Sequence, residues 1–381
     1  MSYVRTGIER LAADPGLIRG GRIGLITNPT GVLPDLTPGV TALRAAGVPP
    51  AVLFSPEHGM YGTAQAGFGE REDLDPSTGL PVLDTYGKDG RALDDLVESS
   101  GVDTLVFDIA DIGTRFYTYV WTMHDLIASA ARLGLRFVVL DRPNPLGGTL
   151  AEGPLLDPAY AGPVGRAAVP VRHGLTAGEL ALLVNRSIGA DLQVITAEGW
   201  RRDTPFEDTG QPWVMPSVNM PTLETALVYP GTGLFEGTNL SEGRGTTRPF
   251  ELIGAPYLDG RFAAGLNALD LPGVRFRDTR FVPTFHKHAG TTVRGVQLHV
   301  HDRETFRPVL TALSMLHLAR SLHPEDFAWH DAADGEPYFV DRLWGSDSLR
   351  HRLDAGGDPT DLCPPPAHPQ VRLDGGPLLY H

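Results

Sequence analysis

The strongest constraint in this sequence is a phrase repeated along its first 150 residues: a short unbroken apolar run, a polar loop, then a helical stretch. Arg22-Ile23-Gly24-Leu25-Ile26 leads into Thr27-Asn28-Pro29-Thr30-Gly31, and Ala51-Val52-Leu53-Phe54 into Ser55-Pro56-Glu57-His58-Gly59. Thr104-Leu105-Val106-Phe107 leads into Asp108, and Phe137-Val138-Val139-Leu140 into Asp141-Arg142-Pro143-Asn144-Pro145. Apolar runs without alternation suit strands buried on both faces, as in a parallel sheet. The stretch from Met123 to Leu133 has helical periodicity, and Gly134 is placed to cap it. Strand–helix alternation of this kind predicts a doubly wound α/β sheet.

The polar residues then gain meaning from their positions. Asn28, Glu57, His58, Asp108, Asp141 and Asn144 all follow carboxyl ends of predicted strands, where open α/β sheets bind ligands. Singly, each could be a helix cap or turn former; six at one edge point to a site. No Gly-x-Gly-x-x-Gly fingerprint follows the first strand, and Gly-x-x-x-x-Gly-Lys-Ser/Thr is absent, so nucleotide binding is not implied. Thr176 and Glu179 have capping-box spacing at the start of another helix, which reads Glu179 as a cap.

Residues 203–256 lose periodicity and fill with Pro, Gly, Asn and Thr. Long loops of this kind are usually functional. The domain junction is placed here, near Tyr229-Pro230, giving a catalytic N-terminal domain over 1–229 and a smaller α+β domain over 230–381 that closes a cleft. A length of 381 residues accommodates two domains. The Pro/Gly-rich tail from Gly356 to His381 has no readable pattern.

Composition narrows the partners. A formal charge of −14 repels phosphate backbones and anionic membrane surfaces, and no basic cluster offsets it. Nucleic acid and membrane are therefore not expected partners. Only two lysines, Lys88 and Lys287, stand among the 32 basic residues. A single cysteine, Cys363, excludes an intramolecular disulfide. The N-terminus shows no signal-peptide pattern, so the chain as written is expected to be cytoplasmic, or exported if a signal was trimmed.

No metal motif is apparent, and neither metal nor cofactor is expected. His286 and His288 would share a face on a strand, yet no third ligand lies nearby in sequence. A Gly-x-Ser-x-Gly elbow is also absent. What stands out is an excess of carboxylates in Gly-rich loops: Glu57, Glu70, Asp108, Asp111, Asp141, Glu152, Glu236 and Glu242. Glycoside hydrolysis uses two positioned carboxyl groups, or one together with substrate assistance. Glu57 is the leading acid, since it follows a buried strand; apolar surroundings there would raise its pKa. Asp108, Glu152 and Glu236 are alternatives for the second carboxyl group.

Several blocks resemble the exo-β-N-acetylmuramidases of the NamZ family: Ser55-Pro56-Glu57-His58-Gly59, the stretch from Asp108 to Tyr119, Leu140 to Pro145, Pro216 to Thr222, and Phe235 to Thr246. The resemblance runs from about Arg22 to Val300. It implies a Rossmann-like domain, a smaller second domain, and an active site between them. It also implies release of terminal N-acetylmuramic acid from peptidoglycan-derived disaccharides or muropeptides, with Glu57 as the catalytic glutamate. A catalytically silent muropeptide-binding or sensing protein is the alternative on the same scaffold. Within or beside these blocks Tyr117, Asn219 and Asn239 join His58, Asp111 and Glu152 as expected substrate contacts. Arg244, flanked by Gly243 and Gly245, is expected to hold the lactyl carboxylate of muramic acid, with Arg115, Arg142 and Lys287 in reserve. Two departures are noted: Ala110 where the family pattern has glutamine, and Val218 where it has proline.

Overall fold

The computed structural model describes residues 3–19, 21–69, 73–330, 332, 335–373, 375 and 378–381. Glu70 lies outside the described residues. The apolar runs form strands β1 (Ile23–Thr27), β2 (Val52–Ser55), β3 (Val82–Asp84), β4 (Thr104–Asp108) and β5 (Arg136–Leu140). Two short strands, β6 (Glu152–Leu155) and β7 (Pro170–Arg172), pair antiparallel, and β8 (Asp191–Ile195) completes the main sheet. That sheet is six-stranded and parallel, in the order β3-β2-β1-β4-β5-β8. Every residue of β1, β2 and β4 is buried, as unbroken apolar runs require.

Alternate side chains of these strands feed two cores. Ile26, Phe54, Phe107 and Phe137 join a core built with helices α3 (Gly90–Ser100), α4 (Tyr119–Leu133) and α5 (Ala177–Ile188). Leu25, Leu53, Val106 and Val138 join another built with α1 (Gly7–Ala13) and α2 (Gly39–Ala45). Gly134 caps α4 in the left-handed region, and Thr176 with Glu179 forms the capping box of α5. The strand order reverses between β1 and β4, which defines the topological switch point.

That switch point is filled by the protein's own side chains. Asp108, fully buried at the end of β4, accepts two hydrogen bonds from Arg142, at 2.7 and 3.0 Å. Asn28, at the end of β1, accepts from the backbone and hydroxyl of Thr30 at 3.0 and 2.6 Å. A cavity of about 40 Å³ is left, lined by Ala110, Asp111, Arg142 and Trp213 among others.

Helix α6 (Leu223–Thr232) opens the smaller domain. The junction expected near Tyr229-Pro230 falls inside this helix. A short 3-10 turn at Gly233–Gly237 follows, then β9 (Leu252–Ala255), α7 (Gly260–Ala268), β10 (Val274–Phe281), β11 (Val293–Val300) and α8 (Pro308–Leu322). The three strands form an antiparallel sheet in the order β10-β11-β9. Among the described residues no helix is long and apolar enough to cross a membrane.

Two devices tie the domains together. The buried Arg115 guanidinium donates to the carbonyls of Pro154 and Val169 on one side and of Leu343 and Trp344 on the other. With no carboxylate beside it, burial brings this group down to about 9. The chain terminus also crosses back onto the larger domain. Ala367 pairs with Ala151, Leu379 N donates to Glu179 at 2.8 Å, and the Tyr380 hydroxyl donates to Asp141 at 2.6 Å.

Asp141 accepts from Thr176 Oγ1, Gly178 N and Tyr380 at once. Burial outweighs these bonds and raises its carboxyl from 3.8 to about 6. Between about pH 4 and pH 6 the folded state therefore holds a proton that the unfolded state has released, so this group's contribution to stability falls as pH rises. Relative to the non-titrating Asp141→Asn variant, wild-type stability should drop by about 2 kcal/mol between pH 4 and pH 7. Urea unfolding of both proteins across that range reads this difference directly.

Candidate active site

The residue after β2 and Pro56 is Glu57, and the loop that follows folds back over it. His58 adopts a left-handed backbone, with φ of 69°. Its amide donates to the Phe68 carbonyl at 3.0 Å, and its Nδ1 lies 2.8 Å from the Ala64 carbonyl. This fold-back brings Gly67 N to donate to Glu57 Oε1 at 2.6 Å. From the other side Thr118, the residue before α4, donates its hydroxyl to Glu57 Oε2 at 2.6 Å. Glu57 is thus held at both oxygens while 8% exposed. Its surroundings are more polar than the expected apolar pocket.

Aromatic rings frame this carboxylate. Tyr117 donates to Ser217 Oγ at 3.1 Å, and its ring meets those of Tyr119 and Tyr229 edge-on at 5.0 and 5.9 Å. Burial pushes the Tyr117 and Tyr229 hydroxyls well up, so they act as neutral hydrogen-bonding groups.

The smaller domain supplies the opposite wall. Glu236, on the 3-10 turn, accepts from Arg244 Nη2 at 3.0 Å, and the Arg244 guanidinium lies 5.0 Å from the centre of the Phe250 ring. Behind it Glu242 is fully buried, with Lys287 Nζ at 2.9 Å, His286 Nδ1 at 3.1 Å and Arg244 Nε at 3.4 Å. Burial alone would raise the Glu242 carboxyl; the surrounding basic groups outweigh it and bring the carboxyl down to about 2. In turn Glu236 and Glu242 overcome the burial of Arg244 and hold its guanidinium firmly protonated. Gly243 and Gly245 both have positive φ, and a Cβ on either would stand 2.8 Å from backbone atoms of Leu252 or Phe285. Close backbone approach is what these glycines permit.

Between the walls lies a cavity of about 510 Å³, lined by Glu57, His58, Tyr117, Asn219, Glu236 and Arg244 together with aromatic and loop residues. Those six are the expected site residues that the fold brings together. The others lie elsewhere, each for a physical reason. Asn28, Asp108 and Arg142 fill the switch point, and Asp111 sits beside the small cavity there, accepting from Gly113 N with His173 at 3.1 Å. Asp141 anchors the start of α5 and the chain terminus. Asn144 closes its own turn, donating to the Leu175 carbonyl and accepting from Leu146 N. Arg115 clasps the two domains. Glu152 is buried at the start of α8, accepting from Leu310 N at 3.0 Å.

Asn239 is used by Asp326, Tyr257 and Ala328. Lys287 donates to three carbonyls as well as to Glu242, which makes it a staple between two loops. Of the three alternatives for a second carboxyl group, Glu236 alone shares the Glu57 cavity.

His286 and His288 lie in a loop, not on a strand, and they diverge: one meets Glu242, the other the Asn239 carbonyl at 2.7 Å. Among the described residues no cluster of three or more His, Cys, Asp or Glu side chains is arranged to hold a metal ion. Thr118, Tyr86 and Tyr229 line the cavity without having been expected as site residues. Ala110 lies at the small cavity, away from Glu57, whereas Val218 lies on a groove at the cleft's rim.

A doubly wound sheet joined to a smaller domain, with two glutamates on the walls of the intervening cleft, defines a two-domain protein of the glycoside-hydrolase type. Comparison with known proteins supports this. Residues 23–224 match the family model for the N-terminal part of exo-beta-N-acetylmuramidase NamZ, and residues 227–364 match that for its C-terminal part. The chain is 48% identical over 358 residues to peptidoglycan beta-N-acetylmuramidase NamZ of Bacillus subtilis (strain 168), covering 93% of this chain and 85% of that one. Two crystal structures of DUF1343 family proteins from Bacteroides fragilis NCTC 9343 share the fold. One has a TM-score of 0.88 at 32% identity over the whole of both chains. The other has a TM-score of 0.76 at 27% identity, over all of this chain and 99% of that one. This chain belongs to the exo-beta-N-acetylmuramidase NamZ family.

Removing one member of a buried ion pair strands its partner and typically costs 3–5 kcal/mol. Lys287→Met should accordingly destabilise the protein by about 3 kcal/mol or more, read as a lower urea midpoint. The double variant Lys287→Met with Glu242→Gln should recover part of the loss, because the stranded charge is then gone.

Proposed function

We propose that this chain is an exo-acting β-N-acetylmuramidase: it removes terminal N-acetylmuramic acid from peptidoglycan fragments by hydrolysis. The observation that carries this reading is Glu57, held at both carboxylate oxygens on the wall of a cleft it shares with Glu236. Protonated Glu57 delivers its proton to the glycosidic oxygen as the bond to the anomeric carbon breaks. The Thr118 hydroxyl can turn from donating to accepting, so it holds either protonation state of the carboxyl group. Water supplies the hydroxyl that ends on the anomeric carbon, and its remaining proton restores the acid. Glu236, fixed by Arg244, is the second carboxyl group of the pair.

Arg244 Nη2 holds Glu236, and no hydrogen bond from Nη1 is found among the described residues. That second terminal nitrogen is the donor we assign to the lactyl carboxylate of muramic acid. The other arginines first considered are committed elsewhere, to backbone carbonyls or to Asp108.

Positioned acid catalysis contributes about 10²–10⁴-fold. Glu57→Gln should lower turnover of a disaccharide carrying terminal N-acetylmuramic acid by that factor while leaving melting unchanged. Near-normal turnover in the folded variant would contradict the assignment.

Arg244→Ala tests the carboxylate contact. A site that loses its polar partner discriminates strongly, so turnover of a chromogenic muraminide should fall at least about tenfold more than any residual turnover of the matching glucosaminide. Equal losses would mark Arg244 as a support for Glu236 alone.

A further inference from the structure

A second cavity, of about 190 Å³, adjoins the Glu57 cleft and shares Tyr86, Thr118 and Pro163 with it. We propose that this cavity is the subsite for the leaving part of a longer glycan chain, where Lys88 meets a carboxylate carried by that chain. The inference rests on the glycosidase reading above and extends it from the bond cut to the chain released.

The placement follows from Thr118. Its hydroxyl holds Glu57, and its side chain belongs to the walls of both cavities, so the proton donor stands at their junction. A general acid must lie beside the oxygen between the terminal sugar and the leaving sugar. With the terminal sugar in the larger cleft between Glu57 and Glu236, the leaving chain runs past Thr118.

Charge then selects the ligand. Lys88 lines the second cavity half-buried, and its ammonium donates to the Asp84 carbonyl at 2.7 Å. Among the described residues no carboxylate pairs with it. The other charges on this wall compensate one another: Arg166 lies 2.8 Å from Asp125 and 3.7 Å from Asp89. On the same wall Arg166 Nε is buried without a hydrogen-bond partner, which supplies a further donor. A protein of net charge −14 needs such a local cation to hold an anionic chain. The other groove adjoining the cleft, beyond Asn219 and Phe285, is lined by threonines, valines and phenylalanines with no charged side chain, and cannot compensate a carboxylate.

In a chain alternating muramic acid with glucosamine, the first leaving sugar carries no carboxylate and the next one does. A disaccharide ends short of the Lys88 contact; a tetrasaccharide reaches it. The test compares KM for the peptide-free disaccharide and tetrasaccharide in wild type, Lys88→Met and Lys88→Arg. A hydrogen bond to a charged group supports a preference of about tenfold. Wild type should favour the tetrasaccharide by about that factor, Lys88→Met should lose the preference, and Lys88→Arg should keep most of it. A wild-type enzyme without the preference, or a Lys88→Met variant that retains it, would overturn the subsite. Failure of the underlying reading looks different, since wild type would then release no muramic acid from either substrate.

Discussion

The cleft depends on one buried carboxylate. Taking Glu242 out of water costs several kcal/mol, and only close basic partners offset that penalty. Lys287, His286 and Arg244 supply them, and each partner also carries part of the wall. Lys287 binds the carbonyls of Phe235, Glu236 and Leu240, which ties the 282–290 loop to the turn bearing Glu236. Arg244 spans Glu242 and Glu236, so the buried charge orients the one in the cavity. The smaller domain's contribution to the site is thus one electrostatic unit.

The larger domain places its half differently from a nucleotide-binding sheet. Doubly wound sheets take ligands at the switch point, but here the Asp108–Arg142 pair occupies that crevice. The candidate site lies instead towards the end of β2, where Glu57 emerges, and towards the connection between β4 and α4, where Tyr117 and Thr118 lie. The Arg115 clasp and the returning terminus keep the two walls in register, and both act through contacts far apart in sequence.

Most of the sheet was legible because its strands are apolar on both faces and its helices carry recognisable caps. The site was legible in part. Glu57, His58, Tyr117, Asn219, Glu236 and Arg244 sit in Gly- and Pro-rich blocks whose composition and family resemblance mark them out. Asp108, Asp141 and Asn144 carry the same strand-end signal, yet their partners are Arg142, Tyr380 and Leu175, and no local pattern tells a cap from a ligand contact. Lys287, Arg115 and Asn239 likewise bond to distant carbonyls or carboxylates, which no local pattern announces. Thr118 carries no local signal of its role, because its hydroxyl reaches back 61 positions to Glu57. Pro230 lies inside α6, so the helix that opens the smaller domain runs through a residue that sequence alone associates with helix ends.

The central claim is that Glu57 stands at the bond to be broken, between the two domains. A crystal structure of the Glu57→Gln variant with an intact disaccharide of N-acetylmuramic acid and N-acetylglucosamine tests it most directly. The account predicts the terminal sugar between residues 57 and 236, with the glycosidic oxygen about 2.6–3.2 Å from the residue 57 side chain. Density for the sugar at the β1–β4 switch point, or a glycosidic oxygen out of reach of residue 57, would contradict it.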